Sequence, residues 1–305
     1  MKKINTFFVL ECAIILAFLA IIGGLLKDSE RSGMDKSFAK EVENNEASEE
    51  LMLENEYVEV DDSLSVNSDL TSTDKFLTGK NMVVFGDSIW NAARGEDGIS
   101  EHVQEETGVT IYNCAVGGST AALVDGVNNM QEWSSSSFNG MIYIARGLVP
   151  AEQVIPTREA YDIIKQVDLN EMDYAIVAYG LNDFFSDVSI YPTEYYEITN
   201  YVGALRNGIT KLKENYPDLK IIVVSPTYTK MYEGEKQFEI GDYVEAARGV
   251  AKEMEVEFLD MFHILGSDAE SRTQHLEDGV HMSAEGRKVY ADAVIWYLKE
   301  MENVN

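Results

Sequence analysis

The chain has 305 residues, of which 45% are hydrophobic and 25% charged, with only 2 Cys and 4 His. Enough apolar surface is present for a sizeable core, which excludes collagen-like, disulfide-scaffold and wholly disordered classes. The formal net charge of −29 repels phosphate backbones, so a nucleic-acid partner is not expected. This charge is uneven: residues 1–27 carry +2, residues 28–76 carry −11, and residues 77–305 carry the remaining −20.

The first segment, residues 1–27, contains an apolar run of twenty residues from Phe7 to Leu26. A helix of that length, at about 1.5 Å per residue, crosses the hydrocarbon core of a bilayer. Because Lys2 and Lys3 precede the run, the positive-inside rule predicts a single-pass anchor in the cell membrane, with the rest of the chain outside. Cleavage as a signal peptide, which would give a secreted protein, is the alternative, but no A-x-A-like site follows.

The second segment, residues 28–76, holds 4 basic and 15 acidic side chains and is rich in Ser and Asn. High like charge with little apolar surface to bury predicts a disordered, self-repelling linker that separates the anchor from residues 77–305. An acidic tail that binds a partner is the alternative interpretation.

The third segment, residues 77–305, alternates short apolar runs with helical patterns and is predicted to be one α/β domain. Strands are predicted at Asn81–Phe85, Val109–Asn113, Asp173–Tyr179, Lys220–Ser225 and Val256–Asp260, and helices at Ile99–Thr107, Thr193–Tyr216, Gly241–Met254 and Ser283–Met301. Five continuous apolar strands alternating with helices indicate a doubly wound parallel sheet. Ligands of such sheets bind at the carboxyl ends of the strands.

A serine and a histidine stand where such a sheet would present them. Ser88 follows Gly86-Asp87 at the end of the first strand, and its hydroxyl becomes a strong nucleophile only when a base takes its proton. His281 lies just before the last helix, with Asp278 three residues earlier, a spacing that lets the carboxylate orient the imidazole. Each feature alone has a plain alternative as a turn or a helix cap.

Two further strand ends offer hydrogen-bond donors for a negatively charged oxygen. The second strand is followed by a turn with Gly117 and Gly118, whose backbone N–H groups are unobstructed by side chains. The third strand is followed by Gly180-Leu181-Asn182, where the Asn182 amide can donate into the same space. Together such groups form an oxyanion hole.

These four clusters, in this order, resemble the SGNH (GDSL) hydrolase family, and the resemblance covers about residues 80–300. It implies a flavodoxin-like three-layer α/β/α fold with a five-stranded parallel sheet and a serine esterase activity. It also implies that Ser88 is the nucleophile, with His281 as general base and Asp278 orienting it. The oxyanion hole would be formed by Ser88, Gly118 and Asn182; Gly118 is preferred to Gly117 because it lies five residues after Asn113, the usual spacing of the family.

Three aromatic residues are candidates for substrate binding. Trp90 lies beside the nucleophile, where it would narrow an acyl pocket or simply pack the first helix, and Phe184 and Phe185 follow Asn182 directly. The long connection from Gly126 to Thr157 is expected to border the site. Because no long apolar cap segment is present, a short acyl group such as acetyl is expected.

The sequence therefore predicts an exported esterase that removes short acyl groups, above all O-acetyl, from a carbohydrate. A lysophospholipase or thioesterase of the same family is the alternative among enzymes, and a non-catalytic surface-binding module is the alternative outside them. The other histidines lack the spacing of metal ligands, so neither a metal nor another cofactor is expected.

Overall fold

The computed structural model describes residues 75–125, 132–231 and 236–303. The predicted anchor and all but the last two residues of the predicted linker lie outside these ranges. Within these ranges, no helix is long and apolar enough to cross a membrane.

A five-stranded parallel sheet forms the centre of the domain. The strands are β1 (Asn81–Gly86), β2 (Thr110–Asn113), β3 (Tyr174–Ala178), β4 (Lys220–Val224) and β5 (Glu257–Leu259). They are arranged in the order β2-β1-β3-β4-β5. This is the flavodoxin-like order, so the predicted α/β fold with a five-stranded parallel sheet is confirmed.

Burial of the sheet on both faces explains why its strands are continuous apolar runs. In β1 the residues from Met82 to Phe85 are fully buried, and in β3 all five residues are buried. The two strands pair in register, with Val84 opposite Ile176. A strand covered on both faces needs no polar alternation, and β-branched side chains suit this packing.

Ten α-helices are present in the described part of the chain. They are α1 (Ser88–Asn91), α2 (Ile99–Thr107), α3 (Phe138–Ala145), α4 (Tyr161–Ile164), α5 (Leu181–Phe185), α6 (Tyr201–Asn215), α7 (Ile240–Glu253), α8 (Met261–Ile264), α9 (Ala269–Thr273) and α10 (Ala284–Met301). Helices α2 and α10 pack together, and so do α3 with α6 and α6 with α7. For parallel strands in this order, the right-handed crossover rule assigns these two groups to opposite faces of the sheet, as in a three-layer fold.

The long connection from Gly126 to Thr157 contains a helix in its described part, residues 132–157. Its segment Phe138–Ala145 is helix α3, capped by Ser137 and buried on nearly all sides. Phe138 packs so closely on α6 that a methyl group on Gly208 would lie 2.2 Å from the Phe138 ring. A helix buried all round lacks the amphipathic period by which helices are recognised in a sequence.

Helix α6 begins at Tyr201 rather than at Thr193. Asn200 caps it by accepting a hydrogen bond from the Gly203 N–H, at 3.0 Å. The Glu197 carboxylate accepts from the Thr193 N–H at 2.9 Å, which holds the preceding residues in a turn. This local hydrogen bonding competes with helix formation before Asn200, so the helix begins later than the sequence pattern predicts.

Candidate active site

The turn after β1 presents Ser88 at the carboxyl edge of the sheet. Asp87 caps helix α1, and its carboxylate accepts from the Ile89 N–H at 3.0 Å. Ser88 is therefore the first helical residue and is half-buried, while Ile89 on its C-terminal side is buried in the core. The packing of its neighbours fixes the position of the serine and leaves the hydroxyl accessible.

Ser88, His281 and Asp278 form a continuous hydrogen-bonded chain. The Ser88 Oγ lies 3.0 Å from His281 Nε2, and His281 Nδ1 lies 2.8 Å from Asp278 Oδ2. Serine and histidine are 193 residues apart in the sequence. An ionised carboxylate can only accept a hydrogen bond, so the hydrogen between Asp278 and His281 is carried by Nδ1. In the neutral ring, Nε2 then has no hydrogen and can accept the serine proton.

The turn that carries Asp278 and His281 is held by local hydrogen bonds. Asp278 Oδ1 accepts from the N–H groups of Val280, at 2.9 Å, and of His281, at 2.8 Å. The hydrogen bond from the His281 ring, followed by that from its backbone N–H, lowers the pKa of Asp278 to about 2. The carboxylate is thus ionised at neutral pH, even though 52% of its side chain is exposed.

A second Asp-x-x-His turn, Asp260 to His263, makes the same two histidine–carboxylate hydrogen bonds at the start of helix α8. His263 Nδ1 lies 2.8 Å from Asp260 Oδ2, and Asp260 also forms an ion pair with Arg248. Among the described residues, no serine hydroxyl is hydrogen-bonded to His263. The spacing alone therefore does not identify a catalytic histidine; its contact with Ser88 distinguishes His281.

The glycine turn after β2 lies beside the nucleophile. The Ser119 N–H donates to the Val116 carbonyl at 3.1 Å, and Gly118 has φ +80°, a conformation that favours glycine. A methyl group on Gly117 would lie 3.8 Å from Ser88 Cβ. Gly117 therefore lies close to Ser88, and the choice of Gly118 over Gly117 as the oxyanion donor stays a prediction.

Asn182 is joined to the glycine turn from the other side. Its Nδ2 donates to the Ser119 carbonyl at 3.0 Å, next to Gly118. The adjacent Asp183 is fully buried, and its two carboxylate oxygens accept from the N–H groups of Ala121 and Ala122, each at 2.9 Å. The first turn of α5 is thus hydrogen-bonded, through Asn182 and Asp183, to the segment after β2.

Two buried carboxyl groups lie beneath the site. Burial raises the pKa of Asp87 to about 7, and the charge of Asp183 adds to this effect. Burial also raises the pKa of Asp183 to about 6, against its two backbone hydrogen bonds. Sequence reasoning did not identify Asp183, whose only signal is its place directly after Asn182.

The aromatic candidates for substrate binding separate into two kinds. Trp90 is 1% exposed and donates from Nε1 to the Tyr290 hydroxyl at 3.1 Å, so its ring packs in the core between α1 and α10. Phe184 is also 1% exposed and lies edge-to-face against Tyr243. Burial removes both from the predicted substrate-binding set because neither ring is offered to a ligand; Phe185 is partly exposed and stays a prediction.

Three polar residues near Ser88 were missed by the sequence reasoning. Asn91 lies one turn after Ser88 on α1, Arg94 donates to its side-chain oxygen, and Glu159 lies 3.5 Å from its amide nitrogen. They come from two separate parts of the chain, 68 residues apart, and no local pattern connects them. Across the described ranges, no group of three or more His, Cys, Asp or Glu side chains is arranged to hold a metal ion.

A serine hydroxyl hydrogen-bonded to an imidazole, which is itself bonded to a carboxylate, is an arrangement found in serine hydrolases. The family comparison makes this specific: a model of the GDSL-like lipase/acylhydrolase family matches residues 84–289, and the chain belongs to that family. The resemblance found in the sequence is therefore confirmed at the level of the family.

Comparison with solved structures supports the fold alone. A protein from Lactobacillus plantarum is 17% identical, with a TM-score of 0.54 over 73% of this chain and 98% of that one. A protein from Chitinophaga pinensis, described as a possible lipase, is 13% identical, with a TM-score of 0.50 over 74% of this chain and 99% of that one. A comparison with curated proteins finds no match.

Proposed function

We propose that this chain is an exported serine esterase that hydrolyses short-chain acyl esters, above all O-acetyl esters of a carbohydrate. The observation that carries the proposal is the hydrogen-bonded chain from Ser88 Oγ through His281 to Asp278, with heavy-atom distances of 3.0 and 2.8 Å. A serine, a base and an orienting carboxylate in contact are the requirements for nucleophilic acyl transfer.

In the acylation step, His281 Nε2 takes the Ser88 proton while Oγ forms a bond to the ester carbonyl carbon. The imidazolium then gives that proton to the departing alkoxide, and the C–O bond to the alcohol breaks. Asp278, already ionised, stabilises the imidazolium without taking its proton. Water, activated by the same nitrogen, attacks the acyl-serine, and the acid product and free Ser88 result.

The tetrahedral intermediate places a negative charge on the former carbonyl oxygen. The Ser88 N–H at the start of α1, the Gly118 N–H and the Asn182 amide are the proposed donors. The Asn182 amide donates to the Ser119 carbonyl and also interacts with the Asp87 carboxylate, so donation to the oxyanion requires its second hydrogen to turn from Asp87 to the substrate. Loss of one such donor typically lowers kcat on the order of 10²–10³-fold.

The proposed short acyl group and carbohydrate acceptor rest on the surroundings of Ser88. Asn91 lies close to Ser88, and the Glu159 carboxylate lies 3.5 Å from the Asn91 amide nitrogen, whereas the nearby aromatic Trp90 is turned into the core. Export rests on the apolar run from Phe7 to Leu26 and the lysines before it. We propose a single-pass anchor with the catalytic domain outside; cleavage at that segment would give a secreted enzyme instead.

The proposal is tested with the Ser88→Ala variant and 4-nitrophenyl acetate. We expect wild-type protein to hydrolyse this ester and the variant to lose activity on the order of 10⁴-fold or more, because removal of the nucleophile leaves only binding effects. A fluorophosphonate probe should label wild-type protein and not the variant. Equal activity of the two proteins in both assays would exclude Ser88 as the nucleophile.

The family description also includes lipases, so acyl-chain length separates the proposed function from the lysophospholipase or thioesterase alternative. We expect kcat/KM for aryl esters to be highest at two carbons and to fall steadily up to twelve. A maximum at eight carbons or more would favour the alternative while keeping the Ser88 chemistry.

A further inference from the structure

We propose that Asn91 and Glu159 form a hydroxyl-binding subsite next to Ser88, which takes adjacent hydroxyl groups on the sugar part of the ester. This inference rests on the proposed esterase function and specifies how the alcohol part of the substrate is recognised. It is carried by three observations: the place of Asn91 beside the nucleophile, the orientation of its amide, and the carboxylate across from it.

Asn91 lies beside the reacting hydroxyl. Residues three apart on a helix share a face, and Ser88 and Asn91 are the first and last residues of α1. Gly117 in the turn after β2 lies near both residues, since a methyl group on it would lie 3.8 Å from Ser88 Cβ and 3.7 Å from Asn91 Nδ2. A substrate bound at Ser88 would therefore lie next to the Asn91 amide.

Arg94 determines which end of that amide is available. Its guanidinium donates to Asn91 Oδ1 from Nη2 at 2.7 Å and from Nε at 3.2 Å, and to the carbonyl oxygens of Asn113 at 3.0 Å and Ala115 at 3.1 Å. Because a guanidinium only donates, the atom it contacts on Asn91 must be the oxygen. The Asn91 Nδ2 group therefore faces away from Arg94 and is available as a donor. Arg94 itself is fixed by its hydrogen bonds to the segment after β2.

Glu159 supplies the matching acceptor. Its Oε2 lies 3.5 Å from Asn91 Nδ2, at the outer limit of a hydrogen bond, and its side chain is exposed. A hydrogen bond from its own backbone N–H, and then the Asn91 amide, lower the pKa of Glu159, so it is an ionised acceptor at neutral pH.

A donor and an acceptor side by side fit a pair of adjacent hydroxyl groups. One hydroxyl oxygen can accept from Asn91 Nδ2 while the other hydroxyl donates to the Glu159 carboxylate. A hydrocarbon chain placed there would desolvate both groups and satisfy neither. The subsite therefore favours a polyhydroxylated alcohol over an apolar one.

The experiment compares two acetyl esters that share the acyl group and differ in the alcohol. One is a methyl glucoside carrying a single O-acetyl group beside a free hydroxyl, and the other is 4-nitrophenyl acetate. The readout is the ratio of kcat/KM for the sugar ester to kcat/KM for the aryl ester. In Glu159→Ala and in Asn91→Ala we expect this ratio to fall about tenfold or more, the effect of losing one hydrogen bond to a substrate.

Glu152→Ala is the matched control. Glu152 is an exposed carboxylate on the same connection, hydrogen-bonded to Tyr161 at 2.7 Å and remote from Asn91 in its contacts. We expect its ratio to match that of wild type. Thermal unfolding of each variant shows whether it is folded, and Glu159→Ala, at an exposed position, keeps the test valid if Asn91→Ala fails to fold.

Failure of the subsite and failure of the esterase proposal give different results. If Ser88-dependent hydrolysis of the aryl ester is present but the ratio is unchanged in Glu159→Ala, the subsite is wrong and the esterase stands. Wild-type protein that cleaves the aryl ester but not the acetyl glucoside also overturns the subsite. If neither ester is cleaved in a Ser88-dependent way, both proposals are wrong.

Discussion

The two Asp-x-x-His turns of this domain make the same pair of histidine–carboxylate hydrogen bonds in different surroundings. Asp260 caps helix α8, which contains His263, whereas Asp278 and His281 lie outside any helix. In each, the histidine Nδ1 lies 2.8 Å from an aspartate oxygen, and the backbone N–H of the same histidine donates to the other oxygen. His281 meets the Ser88 hydroxyl with its second nitrogen, whereas Asp260 next to His263 is paired with Arg248. Four residues are thus enough to build a histidine–carboxylate pair, and packing between distant parts of the chain decides whether that pair meets a serine hydroxyl.

The largest expected difference between the turns is in catalysis. Asp278→Asn should lower kcat for 4-nitrophenyl acetate roughly 10²–10⁴-fold, because the amide no longer stabilises the imidazolium and can favour the wrong tautomer. Asp260→Asn should leave kcat within twofold of wild type. Steady-state kinetics of the two variants measure this directly.

The outcome that would break this contrast is an equal loss in both variants. It would mean that the Asp260 turn affects the site indirectly, through the stability or packing of the fold. Unfolding by urea provides the control, since Asp260→Asn loses an ion pair with Arg248 and is expected to be the less stable of the two proteins.

Packing of α1 against α10 helps to bring His281 next to Ser88. Weakening this packing should lower the stability of the protein, with a smaller effect on kcat than Asp278→Asn has. Trp90 on α1 donates to Tyr290 on α10, and α10 begins just after His281. Trp90→Phe should lower the free energy of unfolding by about 1–3 kcal/mol, because the buried Tyr290 hydroxyl loses its partner.

The matched control is Trp296→Phe on the same helix, where the indole is 56% exposed. Its free energy of unfolding should change by less than about 0.5 kcal/mol. We expect kcat to fall a few-fold in Trp90→Phe alone. A Trp90→Phe protein as stable as wild type would show that this contact does not hold the two helices together.

The smallest expected effect concerns the ionisation of the two carboxylates. His281→Gln should raise the pKa of Asp278 from about 2 toward the ordinary value of about 4, since the His281 ring is the main cause of its depression. Burial acts to raise the pKa of Asp260, but Arg248 and then His263 outweigh it and lower that pKa. His263→Gln should therefore change it less, because Arg248 remains.

Carboxyl NMR titration of both variants measures these shifts. A depressed pKa stabilises the fold at pH values above that of the unfolded group, and this stabilisation is lost as the pH falls through the folded value. For Asp278 that loss is expected between about pH 4 and pH 2. An unchanged Asp278 pKa in His281→Gln would contradict the assigned cause.

Much of the fold could be predicted from the sequence because the sheet is buried on both faces. The runs in β1, β3 and β4 are almost wholly apolar, and a glycine or proline lies at or just after the end of each. The predicted bounds of these strands, and of the edge strands β2 and β5, agree with the structure within one or two residues. Helix α3 was missed for a related reason. Full burial removes the alternation of polar and apolar faces that marks a helix, and Asn139 and Gly140 within it are typical of turns.

The candidate site was predictable where a motif lies at a strand end and not where packing decides. Ser88 and His281 were predicted from their turns and from the family resemblance, and the structure places them in contact. The direction of the Trp90 ring depends on Tyr290, 200 residues away. The contact between Asn91 and Glu159 is likewise long-range, and one sequence alone does not reveal it.

The separation of Ser88 and His281 by 193 residues also has a consequence for how the protein is made. Contacts between distant parts of a chain form late in folding, because closing a long loop costs conformational entropy before the contact can form. Ser88 has no contact with His281 until the last helix has docked against the first. Under the proposed mechanism, a partly synthesised chain is therefore inert toward esters, and hydrolysis begins only when the whole domain has folded.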